Sequence, residues 1–172
     1  MLAAGGCGEA DTTSTATDTP SGPAISIRSG TLAHYDEAGR LVWSLTAAAV
    51  HYDRGDEESR AEDARVRFVA PEATEPSQTA SLTVRADRLV FEHRTRDLLL
   101  LGGVRGDGPD GLTFETDRAH WDAERRRVSG SRAVEVRRED LTMGGTGFTY
   151  DLPSRSLTLQ SASLQVQLEG PR

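Results

Sequence analysis

The chain contains no lysine and no asparagine; all 20 of its basic residues are arginine. The missing lysine excludes Schiff-base chemistry on a lysine amine, and the bias itself reads as that of a GC-rich genome. One cysteine, Cys7, permits no internal disulfide and leaves the redox compartment open. The four histidines, His34, His51, His93 and His120, show no metal-site spacing, and C-x-x-C does not occur. Aromatic residues make up 5% and hydrophobic residues 36% of the 172, which suits a long thin sandwich better than a thick core. No run approaches the roughly 20 apolar residues of a transmembrane helix. No helical periodicity of useful length occurs. No serine sits in a G-x-S-x-G elbow. The net charge of −7 argues against nucleic acid as a partner, because nucleic-acid-binding surfaces are basic.

What the chain does have is a repeat. Trp43–Asp53 (WSLTAAAVHYD), Leu82–Glu92 (LTVRADRLVFE), Leu112–Asp122 (LTFETDRAHWD) and Leu141–Asp151 (LTMGGTGFTYD) share one design. Each opens on a large apolar residue: Trp43, Leu82, Leu112, Leu141. Each reaches an aromatic nine positions later: Tyr52, Phe91, Trp121, Tyr150. Each then closes on an acid. The aromatics fall 39, 30 and 29 residues apart, a period that fixes architecture before any single residue does. Within the third copy Leu112, Phe114 and Thr116 alternate as a half-buried strand. Ala119 and Trp121 then resume alternation with opposite parity, as across a bulge. A polar turn and a returning strand follow: Val128, Val134 and Val136 in the third copy, Leu157 and Leu159 in the fourth. One unit buries one face only, so the expected fold is all-β, an elongated antiparallel sheet folded on itself and built from four repeats of about 30 residues.

Residues 1–24 read as a small, polar linker whose composition cannot repay the entropy of ordering, and 25–172 as the folded domain. Small residues before Cys7 are similar to the cleavage end of a bacterial lipoprotein signal. Six residues are too few for its apolar segment, so this reading places that segment upstream of Met1. Ile25 and Ile27 begin the fold. Leu32–Tyr35, a turn at Asp36–Gly39 and Leu41–Leu45 form a hairpin pattern. Residues 53–64 read as a charged, solvated loop, and Pro71–Ser77 as another. Leu98–Leu101 is a continuous apolar run, either covered on both sides or a patch for a partner. Ser163–Leu168 alternates as a last strand, with Leu164, Val166 and Leu168 on one face.

The residues offer little chemistry. His51 and His120 occupy the same slot in two copies, but the other two carry Val90 and Thr149, so a shared metal site is not expected. Gly144–Gly147 lies within a strand unit and does not open a helix, so it marks close backbone approach or a bulge, not a phosphate loop. The repeat acids begin turns, where carboxylates bond the local backbone. Arg125–Arg127 reads as a solvated tip. No catalytic residue, cofactor or metal is expected.

Thr31–Ala47 (TLAHYDEAGRLVWSLTA), Leu82-Thr-Val-Arg-Ala-Asp87 and Leu98-Leu-Leu-Leu-Gly-Gly-Val104 resemble, in order and spacing, successive blocks of the LptC family. That family provides the periplasmic component of the lipopolysaccharide export ABC transporter, and its repeats are shared with LptA. The resemblance covers about residues 25–168. It implies a β-jelly roll, open along one side, that holds acyl chains without catalysis. Trp43, Tyr52, Leu82, Phe91, Leu112, Phe114, Trp121, Leu141 and Tyr150 are then the candidate lining, about half of them facing the lumen. It also implies an LptA-like bridge protein at the C-terminal edge (Leu164, Val166, Leu168) and transporter subunits of the LptF/LptG type at the N-terminal edge, near Ile25–Leu32. Proteobacterial members of that family start with a transmembrane helix, which this chain does not show; a lipid on Cys7 would take its place. The rivals are a soluble LptA-like bridge, which lacks the anchor, and a carbohydrate-binding or adhesive sandwich, which would expose its aromatics as a flat platform. A β-helix glycosidase would need paired carboxylates on one sheet face.

Overall fold

The computed structural model describes residues 25–52, 57–71, 81–139 and 141–166. The linker with Cys7, most of the Pro71–Ser77 stretch and Leu168 lie outside them. Nine antiparallel strands form one sheet in strict chain order. They are β1 (Ile25–Tyr35), β2 (Leu41–Tyr52), β3 (Glu58–Val69), β4 (Ser81–Glu92), β5 (Leu98–Asp107), β6 (Thr113–Asp122), β7 (Arg127–Arg138), β8 (Leu141–Asp151) and β9 (Ser156–Val166). The repeat copies are the even-numbered strands, and each odd strand after β1 is the return. A single 3₁₀ turn, Pro109–Gly111, joins β5 to β6.

Most strands are broken near the middle. Registers slip between Arg85 and Arg88, Leu101 and Val104, Thr116 and His120, and Gly130 and Ala133. At the same level lie mid-strand residues with positive φ: Ser29 (52°), Asp63 (48°), Gly102 (74°), Gly103 (48°) and Gly147 (81°). Bulges bend a strand and sharpen its twist. Aligned across a sheet, they make a crease.

Three ring contacts show that the sheet folds along it. Trp43 of β2 meets Phe91 of β4 edge to face at 5.5 Å, Phe68 of β3 stacks on Trp121 of β6 at 4.3 Å, and Phe114 of β6 lies 4.9 Å from Phe148 of β8. Each contact joins residues on opposite sides of the crease. Phe68 is level with Leu82, and Trp121 is level with Leu98 and Phe91. In a flat sheet those rings would stand about 30 Å apart along the strands, nine residues at about 3.3 Å each. Strands β2 to β8 therefore contribute to both of two stacked half-sheets. Turns from opposite ends of the meander meet on the side away from the crease: Arg126, between β6 and β7, donates to Asp36, between β1 and β2, at 3.2 Å. This line of meeting turns is the seam.

The parity change within Leu112–Trp121 is the register slip in β6. Gly144–Gly147 is close approach, as the sequence suggests: a Cβ on Gly145 would sit 2.7 Å from the Ser161 carbonyl oxygen. Three expectations need correction. Residues 58–64 are not loop but the first half of β3. Only Ala61 and Ala64 are buried there, and such small residues leave the charged outer face to dominate the pattern. Leu98–Leu101 is not covered on both sides: Leu98 and Leu100 are buried, whereas Leu99 and Leu101 are half-exposed on the outer face. The stretch at Leu164–Val166 is not a separate strand but the end of β9, which begins at Ser156.

Candidate functional site

The interior between the half-sheets is built from the inward face of every strand. Of the nine lining candidates, Trp43, Leu82, Phe114, Trp121 and Tyr150 are buried there. Tyr52, Phe91, Leu112 and Leu141 are half-buried. Tyr52 and Phe91 both meet the His93 ring edge to face, at 5.5 and 4.9 Å. The middle is packed shut by the Phe68–Trp121 stack. The indole N–H groups of Trp43 and Trp121 are buried there without a partner.

The interior opens toward the sheet's two edges. Ile25, Ile27 and Leu32 on β1 stand opposite Tyr52, Val50 and Leu45, so they share the inward face, yet they are 53%, 41% and 38% exposed. Among the described residues no strand covers them. On β9, Leu157 and Leu159 stand opposite Tyr150 and Phe148 and are only partly buried. A cavity of about 1060 Å³ spans β5 to β9 beside the crease, lined largely by small residues, among them Thr116, Ala133, Gly144, Gly145 and Ala162. Its space exists because side chains are missing: Gly144 and Gly145 face Ser163 and Ala162 across the ladder. The glycine pair was the sequence signal for it. Phe68 and Phe148, which cap the ring stacks, lie outside the repeated apolar-to-aromatic frame and carried none.

The carboxylates are engaged. Asp151 is held down to about 2 by the Ser154 hydroxyl, the Ser154 backbone N–H and the Arg127 guanidinium. Burial would raise Asp122, but the backbone N–H and guanidinium of Arg125 override it and the net shift is downward. Asp36 is lowered chiefly by the Arg40 backbone N–H. These acids are ionised and bound to their turns, as expected of Asp122 and Asp151; Glu92 instead takes the Arg94 side chain. Groups so arranged hold chain, whereas acid–base work needs a pKa near the working pH. Among the described residues no three His, Cys, Asp or Glu converge as metal ligands, and no helix is long and apolar enough to cross a membrane. The solvated tip is corrected in one respect: Arg126 is 19% exposed and tucked against Asp36 in the seam.

An apolar interior between two half-sheets of one folded meander, with Trp43, Phe68, Phe114, Trp121, Phe148 and Tyr150 buried in it, defines the class: an open, folded-over β-sheet protein. The family described as lipopolysaccharide-assembly, LptC-related, matches residues 4–164. Among solved structures the chain is similar to LptH of Pseudomonas aeruginosa, the LptA-homologous periplasmic component of the lipopolysaccharide transport device. The identity is 10% and the TM-score 0.55, over 73% of this chain and 95% of that one. No curated protein matches the sequence. The chain belongs to the LptC-related family of lipopolysaccharide-assembly proteins.

Proposed function

We propose that this protein is a non-catalytic periplasmic bridge that passes lipopolysaccharide from the inner-membrane ABC transporter toward the outer membrane, with the acyl chains held between the half-sheets. The observation that carries the reading is the apolar inward face that continues, uncovered, onto β1. Burial of each methylene is worth about 0.8 kcal/mol, so a slot lined by Trp43, Leu82, Phe114, Trp121 and Tyr150, with Tyr52, Phe91, Leu112 and Leu141 toward its margins, holds acyl chains without polar recognition. Weak, distributed contacts also let cargo leave.

Docking is by strand addition, which joins two sheets through backbone hydrogen bonds and prolongs the slot. The β9 edge receives an LptA-like bridge, and the β1 edge receives a transporter subunit of the LptF/LptG type. The anchor is lipid on Cys7; an unmodified Cys7 in membrane-extracted protein, read by mass spectrometry, would remove it. Docking is tested with Val166→Pro, which deletes one backbone donor at the end of β9. Bridge capture and lipid transfer should fall while cooperative unfolding persists. Undiminished capture by the folded variant would mean that β9 is not the docking edge.

A further inference from the structure

Three turns at one end of the meander carry an arginine at the same place. The fourth residue after each repeat acid is Arg96 after Glu92, Arg126 after Asp122 and Arg155 after Asp151. All three have left-handed backbones, with φ of 66°, 52° and 55°. That conformation favours glycine and strains an L side chain, and the first hairpin turn uses Gly39 at φ 74°. A repeat that places arginine three times where glycine folds more easily is using the side chain.

The neighbouring arginines are already neutralised. Arg94 pairs with Glu92, Arg125 with Asp122 and Arg127 with Asp151. The side chains of Arg96 and Arg155 are exposed and make no hydrogen bond or ion pair among the described residues, while the Arg96 backbone N–H donates to the Glu92 carbonyl and closes its turn. Arg126 reaches across the seam to Asp36. Successive turns at this end are two strands apart, so the three positions follow one another at about 10 Å. Arg96 and Arg126 line a common cavity of about 550 Å³ at the seam with Arg40 and Arg94, whose charges are offset in part by Asp36, Glu37 and Glu124 of the same lining. His34, also in this lining, stacks on Trp43 at 5.5 Å, which places the cavity directly beside the apolar interior. With Arg40 and Arg126 on Asp36 and Arg94 on Glu92, Arg96 is the guanidinium of this lining without a side-chain partner among the described residues, and it stands where the polar end of an interior amphiphile would emerge.

Resting on the reading that the interior holds lipid, we infer that Arg96, Arg126 and Arg155 form a row of anion sites for phosphate or carboxylate groups of the lipid headgroup. A guanidinium fork matches either group with two parallel hydrogen bonds. At Arg126 the incoming anion displaces the Asp36 carboxylate. The spacing lets a headgroup pass from one arginine to the next while its chains stay between the half-sheets.

The test is the full chain carrying Arg96→Gly and Arg155→Gly together. Glycine suits both backbones, so the variant should unfold at the wild-type temperature or above it. The probes are dodecyl phosphate and dodecyl maltoside below their micelle concentrations, followed by calorimetry. Loss of charge-assisted contacts should weaken dodecyl phosphate by roughly tenfold or more and leave dodecyl maltoside unchanged. Equal weakening of both probes, or of neither, overturns the row while leaving the lipid slot standing. A variant that loses only its sedimentation with anionic phospholipid vesicles assigns the arginines to a membrane surface, which also overturns it. Wild-type protein that binds neither probe overturns the slot and the row together.

Discussion

Replacing Trp121 tests whether the half-sheets are held together through the interior. The side chain is 0% exposed and stacked on Phe68 from the opposite half-sheet. A buried indole removes about 200 Å² from water, worth roughly 5 kcal/mol at about 25 cal/mol per Å², an upper figure because the denatured chain hides part of that surface. Its N–H is buried without a partner, which returns about 1–3 kcal/mol. Trp121→Ala should therefore cost about 2–4 kcal/mol. Trp121→Phe keeps a ring on Phe68 and removes the orphaned donor, so its cost should stay below about 1.5 kcal/mol. Urea unfolding followed by circular dichroism separates the two. If the alanine variant lies within about 0.5 kcal/mol of wild type, the range of an ordinary surface change, the half-sheets are not packed through this stack. If the phenylalanine variant loses as much as the alanine variant, the indole N–H makes a stabilising contact that phenylalanine cannot replace.

At the crease, Gly102→Ala combines a φ of 74° with a Cβ 2.6 Å from the Asp87 carboxylate, whereas Gly39→Ala has the same φ and open space around it. Gly39→Ala should cost about 1–2 kcal/mol from backbone strain alone and Gly102→Ala more; equal urea midpoints would mean that Asp87 swings aside freely. The pH response follows from the engaged acids. Asp36, Asp122 and Asp151 have lowered pKa values, so the unfolded chain takes up their protons first, and the stability they provide is complete above the ordinary carboxylate value of 3.8 and lost as pH falls through it toward about 2. The melting temperature should be level above about pH 5 and fall below about pH 4, with a smaller fall for Asp151→Asn; a decline already under way near pH 6 would place control with the histidines.

The even-numbered strands were legible because a large apolar residue, an aromatic and an acid recur at fixed offsets, and burial at Leu82 and Trp121 follows from that frame. The crease was legible in β6, where parity visibly reverses, and at Gly144–Gly147 of β8, where the glycine run marks close approach or a bulge. In β1 and β3 it rests on Ser29 and Asp63, whose left-handed backbones leave no glycine to mark them. The first half of β3 was hidden because its inward side is Ser59 and two alanines and its outward side carries most of the charge. Arg126 was misread because a run of three arginines says nothing of which guanidinium turns inward; a partner 90 residues away decides that. The seam and the exposed inward face of β1 depend on folding the meander over, which no local pattern encodes.

Strict chain order gives this architecture one more property. Nine strands at about 4.8 Å per step make an interior about 38 Å long, and among the described residues no strand crosses over to lock that length. Adding or deleting one repeat of about 30 residues would change the reach by about 10 Å without rethreading anything, because each hairpin pairs in the sheet only with the strands beside it. The distance such a protein spans is then a count of repeats, set by duplication, much as in other stacked-repeat proteins whose stability is carried from neighbour to neighbour.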